Sequence, residues 1–240
     1  GLILLTGTDL SVGRMVGMGM VTATIIMHNG INTGTVFGHV FNFSGMAPAS
    51  RAILALCVCI LFTTVFAMTA GFFMARFKMH PFISTMANML IIFGLVTYAT
   101  KGVSFGAIDS SIPAMFIPKI GNFPTIILWA VVAVAVVWFI WNKTTFGKNM
   151  FAVGSNPEAA NVSGVNVMRT TILVHTLAGC MYGITGFIES ARIGSNQANT
   201  GLNYECDAIA ACVIGGVSFV GGTGKISGVV LGVFLLRIIF

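Results

Sequence analysis

The sequence predicts an all-α membrane protein, a polytopic bundle of about seven or eight transmembrane helices. Hydrophobic residues make up 56% of the 240 residues and charged residues only 8%, whereas soluble domains carry about 25% charged residues. A chain this apolar could not cover its surface with polar groups in water. Its apolar residues also come in runs close to the 20 or so residues that a helix needs to span a bilayer.

Seven apolar runs have the length of a span, and we interpret each as a transmembrane helix. In chain order they are residues 10–27, 52–75, 82–100, 123–141, 170–189, 207–221 and 226–240. The connections between them are residues 28–51, 76–81, 101–122, 142–169 and 190–206. The chain starts without Met, in an apolar stretch (residues 1–5) that has the character of an earlier span, and it ends in another. We therefore expect one transmembrane domain, residues 1–240, truncated at both ends.

The basic residues set the expected orientation. With connections 76–81 and 142–169 in the cytoplasm, seven basic residues lie inside and four outside, as the positive-inside rule favours. The inner seven are Arg14, Arg76, Lys78, Lys143, Lys148, Arg169 and Lys225; the outer four are Arg51, Lys101, Lys119 and Arg192. The acids Asp109, Glu189, Glu205 and Asp207 fall on the outer side, and Arg237 lies within the last span. The net charge of +6 thus reflects topology, and we expect no nucleic-acid partner.

Small residues recur at positions where helices could pack closely. Three pairs of glycines are spaced by four, which lets helix backbones approach each other in lipid: Gly13 and Gly17, Gly179 and Gly183, Gly228 and Gly232. Two glycine clusters, Gly215-Gly216 and residues 221–224, flank an apolar stretch and are expected to break the helix. Broken helices inside membranes usually line a cavity or pathway. The five cysteines lack CxxC spacing, and we expect them to be small buried hydrophobes.

The cytoplasmic connection 142–169 has the pattern of a short helix standing apart from the spans. Asn156 (or Ser155) can be its N-cap, Pro157 suits its first position, and Glu158 complements the helix dipole. Gly164 suits the position just after the helix. A helix of about two turns is unstable alone in water, so we expect either the membrane surface, its own protein or a cytoplasmic partner to pack against it.

This segment also resembles the coupling segment of ABC importer permeases, the family that includes the ribose permeases. The matching residues are Phe146-Gly147-Lys148, Ala152-Val153-Gly154, Asn156-Pro157-Glu158-Ala159-Ala160 and Ser163-Gly164-Val165-Asn166-Val167. Residues 7–13 resemble the family's early GxDLSxG element, and residues 204–218 its late YExDAIAAxxxGGxS element, with Cys206 where Leu is usual. Within the family, residues 7–14, 141–149 and 191–195 are most similar to the galactose/methyl-galactoside branch.

The resemblance implies a permease subunit that moves a monosaccharide from a periplasmic or extracytoplasmic binding protein into the cytoplasm, across the bacterial inner membrane. Galactose or methyl galactoside is the expected sugar; ribose or another sugar of the same branch is the alternative. The implied partners are an ATP-binding cassette subunit, the binding protein and a second permease copy. ATP and Mg²⁺ would bind to the separate ATPase, because this sequence contains no GxxxxGK[ST] loop. The chain is therefore not expected to be an enzyme, and no catalytic residue or metal ligand set is identified.

The candidate site residues form three groups. The residues implied in coupling to the ATPase are Asn156, Pro157, Glu158, Ala159, Ala160, Ser163 and Gly164. The pathway candidates are Asp9, Ser11, Asp207, Gly215 and Gly216, and the candidates for contact with the binding protein are Glu189, Arg192 and Glu205. Structural roles compete with several of these: Asp9 and Asp207 as helix N-caps, and Glu189 with Arg192 as an ion pair at a helix end.

Two other function classes stay open. An ion-coupled secondary transporter would need carboxylates within the membrane, whereas the acids of this chain lie mainly near predicted span ends. A non-transporting structural subunit would leave the capped cytoplasmic helix without a role.

Overall fold

The computed structural model describes residues 1–5, 7–29, 35–121 and 123–239, and helices are the main secondary structure there. Phe240 of the predicted last span and residues 30–34 of connection 28–51 lie outside the described residues. The helices are α1 (Val12–Met27), α2 (Pro48–Phe77), α3 (Pro81–Thr100), α4 (Ser111–Phe116), α5 (Ile126–Lys143), α6 (Thr145–Ser155), α7 (Pro157–Val162), α8 (Val167–Ile193), α9 (Tyr204–Ile214) and α10 (Ile226–Ile239). Residues Ile3–Leu5 form a 3₁₀ turn, and Lys119–Ile120 pairs antiparallel with Phe123–Pro124.

Four helices, α2, α3, α5 and α8, are long and apolar enough to cross a membrane, and α1 and α10 are shorter apolar helices. Pro48 and Pro81 each occupy a first helical position, where a missing N–H costs nothing. α5 buries only Trp141 among its residues, so most of its surface is available to lipid. The predicted helical membrane bundle is thus confirmed, with α2 and α3 within a few residues of the expected bounds.

The predicted span 207–221 is wrong at its far end. α9 ends at Ile214, and Gly216, Gly221 and Gly222 take positive φ angles in the turn that follows. The expectation that these glycines break the helix is confirmed. α9 and α10 pack against each other across this turn, and α9, with 11 residues, is shorter than a full span.

The core is built by α1, α2 and α8. Gly179 and Gly183 of α8 lie directly against α2, where an added Cβ would meet the backbone of Thr64 and Ile60. At this contact Thr63 Oγ1 donates to the carbonyl of Gly179 at 2.7 Å. Gly228 and Gly232 similarly lie against α9 at Gly215 and Ala211. Two of the three glycine pairs therefore bring helices together as predicted, and the third packs differently.

That third pair, Gly13 and Gly17 of α1, packs on non-helical backbone. An added Cβ at Gly17 would collide with the carbonyl of Thr200, and one at Gly13 with that of Gly201. Farther along α1, Asn196 Nδ2 donates to Thr24 Oγ1 at 2.7 Å. Residues 195–203, which we expected in an outer connection, therefore run back along α1 from Thr24 down to Gly13.

The two predicted cytoplasmic connections lie on the same side of the bundle. Lys78 and Pro81, at the α2–α3 connection, share a groove of about 930 Å³ with Asn156 and Glu158 of the α6–α7 region. At the opposite end, Phe105 pairs with Asn196 and His28 with Ile108. This arrangement agrees with the prediction, made from the basic residues, that connections 76–81 and 142–169 lie on the same side of the membrane.

Candidate functional site

Helix α7, in the connection that we expect to be cytoplasmic, has the predicted capping geometry. Asn156 Oδ1 accepts from the backbone N–H groups of Glu158 and Ala159, both at 3.0 Å, and Pro157 is the first helical residue. Gly164 has φ +85° just beyond the C-cap Ser163, a conformation that glycine adopts without strain. Ala160 is buried, while Glu158 and Ala159 are exposed. The seven coupling candidates therefore form one compact, capped and largely exposed unit.

A second helix, α6, precedes α7 and was not predicted. Gly147 and Gly154, which lower helix propensity, lie where a Cβ would collide with the carbonyls of Trp141 and Leu4. Tertiary packing therefore demands glycine at these positions and outweighs propensity. α6 is more buried than α7: its residues Val153 and Gly154 are buried, whereas most residues of α7 are exposed.

Val162 is a coupling-surface candidate that sequence analysis missed. It is the last residue of α7 and is 89% exposed. A Val that is fully open to water is unfavourable unless a partner covers it. The sequence contains one indication of this exposure. Val162 follows Ala160 by two residues and therefore lies on the opposite face of the same short helix.

Asp9 is not an N-cap, because α1 begins at Val12 with Ser11 as its N-cap residue. Asp9 is instead buried and accepts from Ser11 Oγ at 2.6 Å and from the Ser11 backbone N–H at 2.8 Å. Tyr182 OH donates to the other carboxylate oxygen at 3.0 Å. Asp9 and Ser11 thus join the start of α1 to the middle of α8, beside a largely apolar cavity of about 240 Å³.

Arg14 was expected on the cytoplasmic side, but it lies within the bundle. Its Nη1 donates to the carbonyl of Ala198 at 3.2 Å, and its guanidinium lies 4.3 Å from the ring centroid of Phe93. The non-helical segment supplies that carbonyl, so the burial of Arg14 could not be seen from its neighbours in sequence.

Asp207 and Glu205 lie in the first turn of α9, and neither is its N-cap. The N-cap residue is Asn203, in the left-handed region with φ +69°. The Glu205 carboxylate lies against α1 at Gly13, and Asp207 Oδ2 lies 3.5 Å from Arg237 Nη2 of α10. Glu205 thus contacts α1, and Asp207 contacts α10.

Glu189 and Arg192 form the predicted ion pair at the outer end of α8. Arg192 donates to Glu189 Oε2 through Nε at 2.9 Å and through Nη2 at 2.6 Å. Arg192 is exposed, whereas Asp9 is buried in the bundle, so the ion pair is separate from the Asp9 cluster.

Gly215 and Gly216 lie in the turn that joins the end of α9 to the start of α10. The backbone N–H of Gly222 in the same turn donates to the Leu4 carbonyl at 2.9 Å, and Gly222 also packs on Ser155 of α6. The structure thus brings this turn next to the α6–α7 unit and separates it from Asp207 by the length of α9.

The cysteines differ from expectation. Cys59 is buried, whereas Cys57 and Cys206 are exposed. Cys57 belongs to an apolar stripe of α2 with Ile53 and Leu61, where lipid can cover it, and Cys206 lies beside Asp207.

Comparison with known proteins places the whole chain in one family. The chain is 47% identical over 245 residues to a galactose/methyl galactoside import permease protein of Treponema pallidum, covering 98% of this chain and 46% of that protein. It is 42% identical over 246 residues to the protein of the same description from Escherichia coli strain K12, covering 100% of this chain and 71% of that protein. It is 40% identical over 166 residues to an Escherichia coli L-arabinose transport system permease protein, covering 69% of this chain and 51% of that protein.

No solved structure is significantly similar to the chain. A family model described as "branched-chain amino acid transport system / permease component" matches residues 2–240. The family match, the similar permeases and the helical membrane bundle together show that the chain belongs to that family of multi-pass membrane permeases.

Proposed function

We propose that this chain is the membrane-spanning permease subunit of an ATP-driven monosaccharide importer in the bacterial inner membrane. The observation that carries the proposal is the similarity, over 98–100% of the chain, to two proteins described as galactose/methyl galactoside import permeases. Galactose or methyl galactoside is accordingly the proposed substrate. The identity to these two proteins, 47% and 42% over nearly the whole chain, exceeds the 30% identity to a ribose import permease over 98% of the chain, which favours galactose over ribose.

The proposed mechanism has four parts. Two copies of the permease enclose a pathway, and a binding protein delivers the sugar to its outer end. A separate ATPase subunit binds ATP with Mg²⁺ and changes its arrangement on hydrolysis. The permease passes between outward-open and inward-open states because the ATPase binds these two states with different affinity.

The α7 unit is the proposed contact with the ATPase. It carries an exposed carboxylate, Glu158, and the exposed apolar side chain of Val162 on a helix whose ends are both capped. Capping holds such a short helix in one geometry without a long flanking segment. A rigid exposed helix can transmit a push from a partner to α6 and on to α8, which both pack against it.

The proposal is tested by Glu158→Lys combined with Gly164→Pro. The first change reverses the charge of α7, and the second cannot adopt the φ of +85° that residue 164 needs. We expect ATP-dependent galactose uptake to fall to background while the protein stays in the membrane. ATP hydrolysis by the assembled transporter should lose its stimulation by the binding protein.

The matched control is Lys148→Glu, which also reverses an exposed charge in the same cytoplasmic connection but lies on α6. This variant should import galactose at close to the unmodified rate. Normal uptake by the α7 double variant, at an equal membrane level, would contradict the coupling role.

An ion-coupled transporter is the second candidate, and one observation favours it: Asp9 is a buried carboxylate within the bundle. Three hydrogen-bond donors satisfy that carboxylate, so it has a sufficient structural role at the start of α1. Uptake that stops on addition of an uncoupler but survives ATP depletion would establish ion coupling instead.

A further inference from the structure

The pair formed by Asp207 and Arg237 lies near the middle of the membrane. The turn between α9 and α10 lies at the expected cytoplasmic end, because Val217 in this turn shares one buried apolar cluster with Trp141, two residues before the end of α5. α9 has 11 residues and rises about 16 Å from the turn at 1.5 Å per residue. The hydrocarbon core is about 30 Å thick, so the first turn of α9 lies near its centre.

The packing of α10 on α9 places Arg237 at the same depth. Gly228 lies against Gly215, and Gly232 against Ala211, so the two helices run antiparallel with matching positions. The same register brings Arg237 beside Asp207, where the two side chains are 3.5 Å apart.

Both charged side chains are open in this chain. The Asp207 side chain is 53% exposed and that of Arg237 is 71% exposed. Charged side chains at membrane depth face the interior of a bundle or a water-filled cavity rather than lipid. This face of the α9–α10 pair therefore requires water or polar protein opposite it.

Non-helical backbone lies at the same depth as a second observation. Residues 195–203 descend along α1 to Gly13, and they end at the exposed residues Leu202 and Asn203. Irregular backbone at membrane depth occurs where it is buried in protein or lines a water-filled cavity. One side of this segment packs on α1, and its exposed residues Leu202 and Asn203 lead directly into the start of α9.

We propose that Asp207 and Arg237 line the water-filled sugar pathway at mid-membrane. This inference rests on the proposed importer function and extends it to named residues. A carboxylate accepts hydrogen bonds from sugar hydroxyls and a guanidinium donates to them, so the pair offers a passing monosaccharide both kinds of partner. Because the two charges neutralise each other, this part of the pathway lining is polar but carries no net charge.

Two native cysteines provide the test. Cys206 is next to Asp207 and exposed, and Cys57 is exposed among apolar residues on α2. Two full-length permeases are made, each keeping one of these cysteines with the others changed to Ser, and each is assembled with its ATPase and binding protein in membrane vesicles. A charged, water-soluble methanethiosulfonate reagent is then applied with and without ATP.

We expect Cys206 to react at least 10-fold faster than Cys57 in one of the two conditions, and its modification to stop galactose import. If Cys206 is as unreactive as Cys57 in both conditions, lipid or protein covers this face and the proposal is wrong. Import by the untreated single-cysteine transporters is measured in parallel. Import by the unmodified transporter is measured as well, because Cys59 is buried and its replacement alone could reduce activity. Absence of ATP-dependent import by the unmodified transporter would overturn the proposed function, whatever the labelling shows.

A neutral pair gives an independent check. Asp207→Asn combined with Arg237→Gln removes both charges: the Asn is isosteric with Asp, and the Gln is a shorter, uncharged polar side chain that keeps hydrogen-bonding capacity. We expect import to fall about 10-fold while the labelling rate of Cys206 is unchanged. Unaltered import by this variant would contradict the role of the two charges in the pathway.

Discussion

Arg51 is a fully charged side chain that is only 3% exposed. Its Nη2 contacts Asp109 Oδ2 at 2.5 Å, and its Nη1 donates to the His28 carbonyl at 2.9 Å. Hydrogen bonds from the side chain and backbone N–H of Ser111, together with Arg51, hold the pKa of Asp109 below its usual value. Asp109 therefore stays ionised as the partner of Arg51 and ties the outer end of α2 to the connection before α4.

Replacing Arg51 by Met is predicted to destabilise the protein by about 3 kcal/mol, because it leaves the Asp109 carboxylate without its buried partner. The control is Arg192→Met, which breaks the more exposed Glu189–Arg192 pair and should cost about 0–1 kcal/mol. Unfolding of the two purified variants in detergent measures the difference. If the two variants lose the same free energy of unfolding, the buried Arg51–Asp109 pair contributes no more to stability than the exposed Glu189–Arg192 pair.

At the scale of elements, α9 is a short helix that starts inside the bundle on a non-helical approach. The approach can lie against α1 because Gly13 and Gly17 have no side chain there. Glycine at this spacing predicts close packing from sequence alone. It does not reveal whether a helix or an irregular segment packs there, because both need the same space.

Gly13→Ala is predicted to displace the start of α9, since the added Cβ would collide with the Glu205 carboxylate and the Gly201 carbonyl. Overpacking of this kind costs about 1–3 kcal/mol, and we expect import to fall with it. Gly94→Ala on α3 is the matched control, because nothing lies within 4 Å of its Cβ position. Thermal stability and import of both variants should be compared; a Gly13→Ala variant as stable and active as Gly94→Ala would refute the contact.

At the scale of the whole molecule, the structure separates two functional ends. The α6–α7 unit, the α2–α3 connection and the α9–α10 turn lie at one end, and the Glu189–Arg192 pair and the Arg51–Asp109 pair lie at the other. This separation is what an importer needs, with delivery of sugar at one face and coupling to an ATPase at the other.

The orientation of these ends is tested with introduced cysteines in a full-length permease free of native ones. Ser44→Cys lies before α2 and Ser163→Cys follows α7, and both positions are exposed. A membrane-impermeant thiol reagent is applied to spheroplasts whose inner membrane is intact. It should label only the Ser44→Cys variant before lysis and both variants after lysis. Labelling of Ser163→Cys before lysis would reverse the orientation.

Some features were determined by the sequence itself, because their causes are local. Composition and run length predict the membrane bundle, since lipid selects for long apolar helices. Asn156, Pro157 and Gly164 predict the ends of α7, because capping involves neighbours only a few residues apart. Glu189 and Arg192 are three residues apart on one helix, and their pairing follows from that spacing.

Other features were decided only by the tertiary structure, because the partners are far apart in the chain. The role of Asp9 depends on Tyr182, 173 residues away, and the position of Arg14 on Ala198. α6 forms although glycines disfavour it, because Leu4 and Trp141 leave no room for side chains. Likewise, the contact between Asp207 and Arg237 follows from how α9 and α10 pack against each other, and hydropathy alone does not reveal that α9 ends at Ile214.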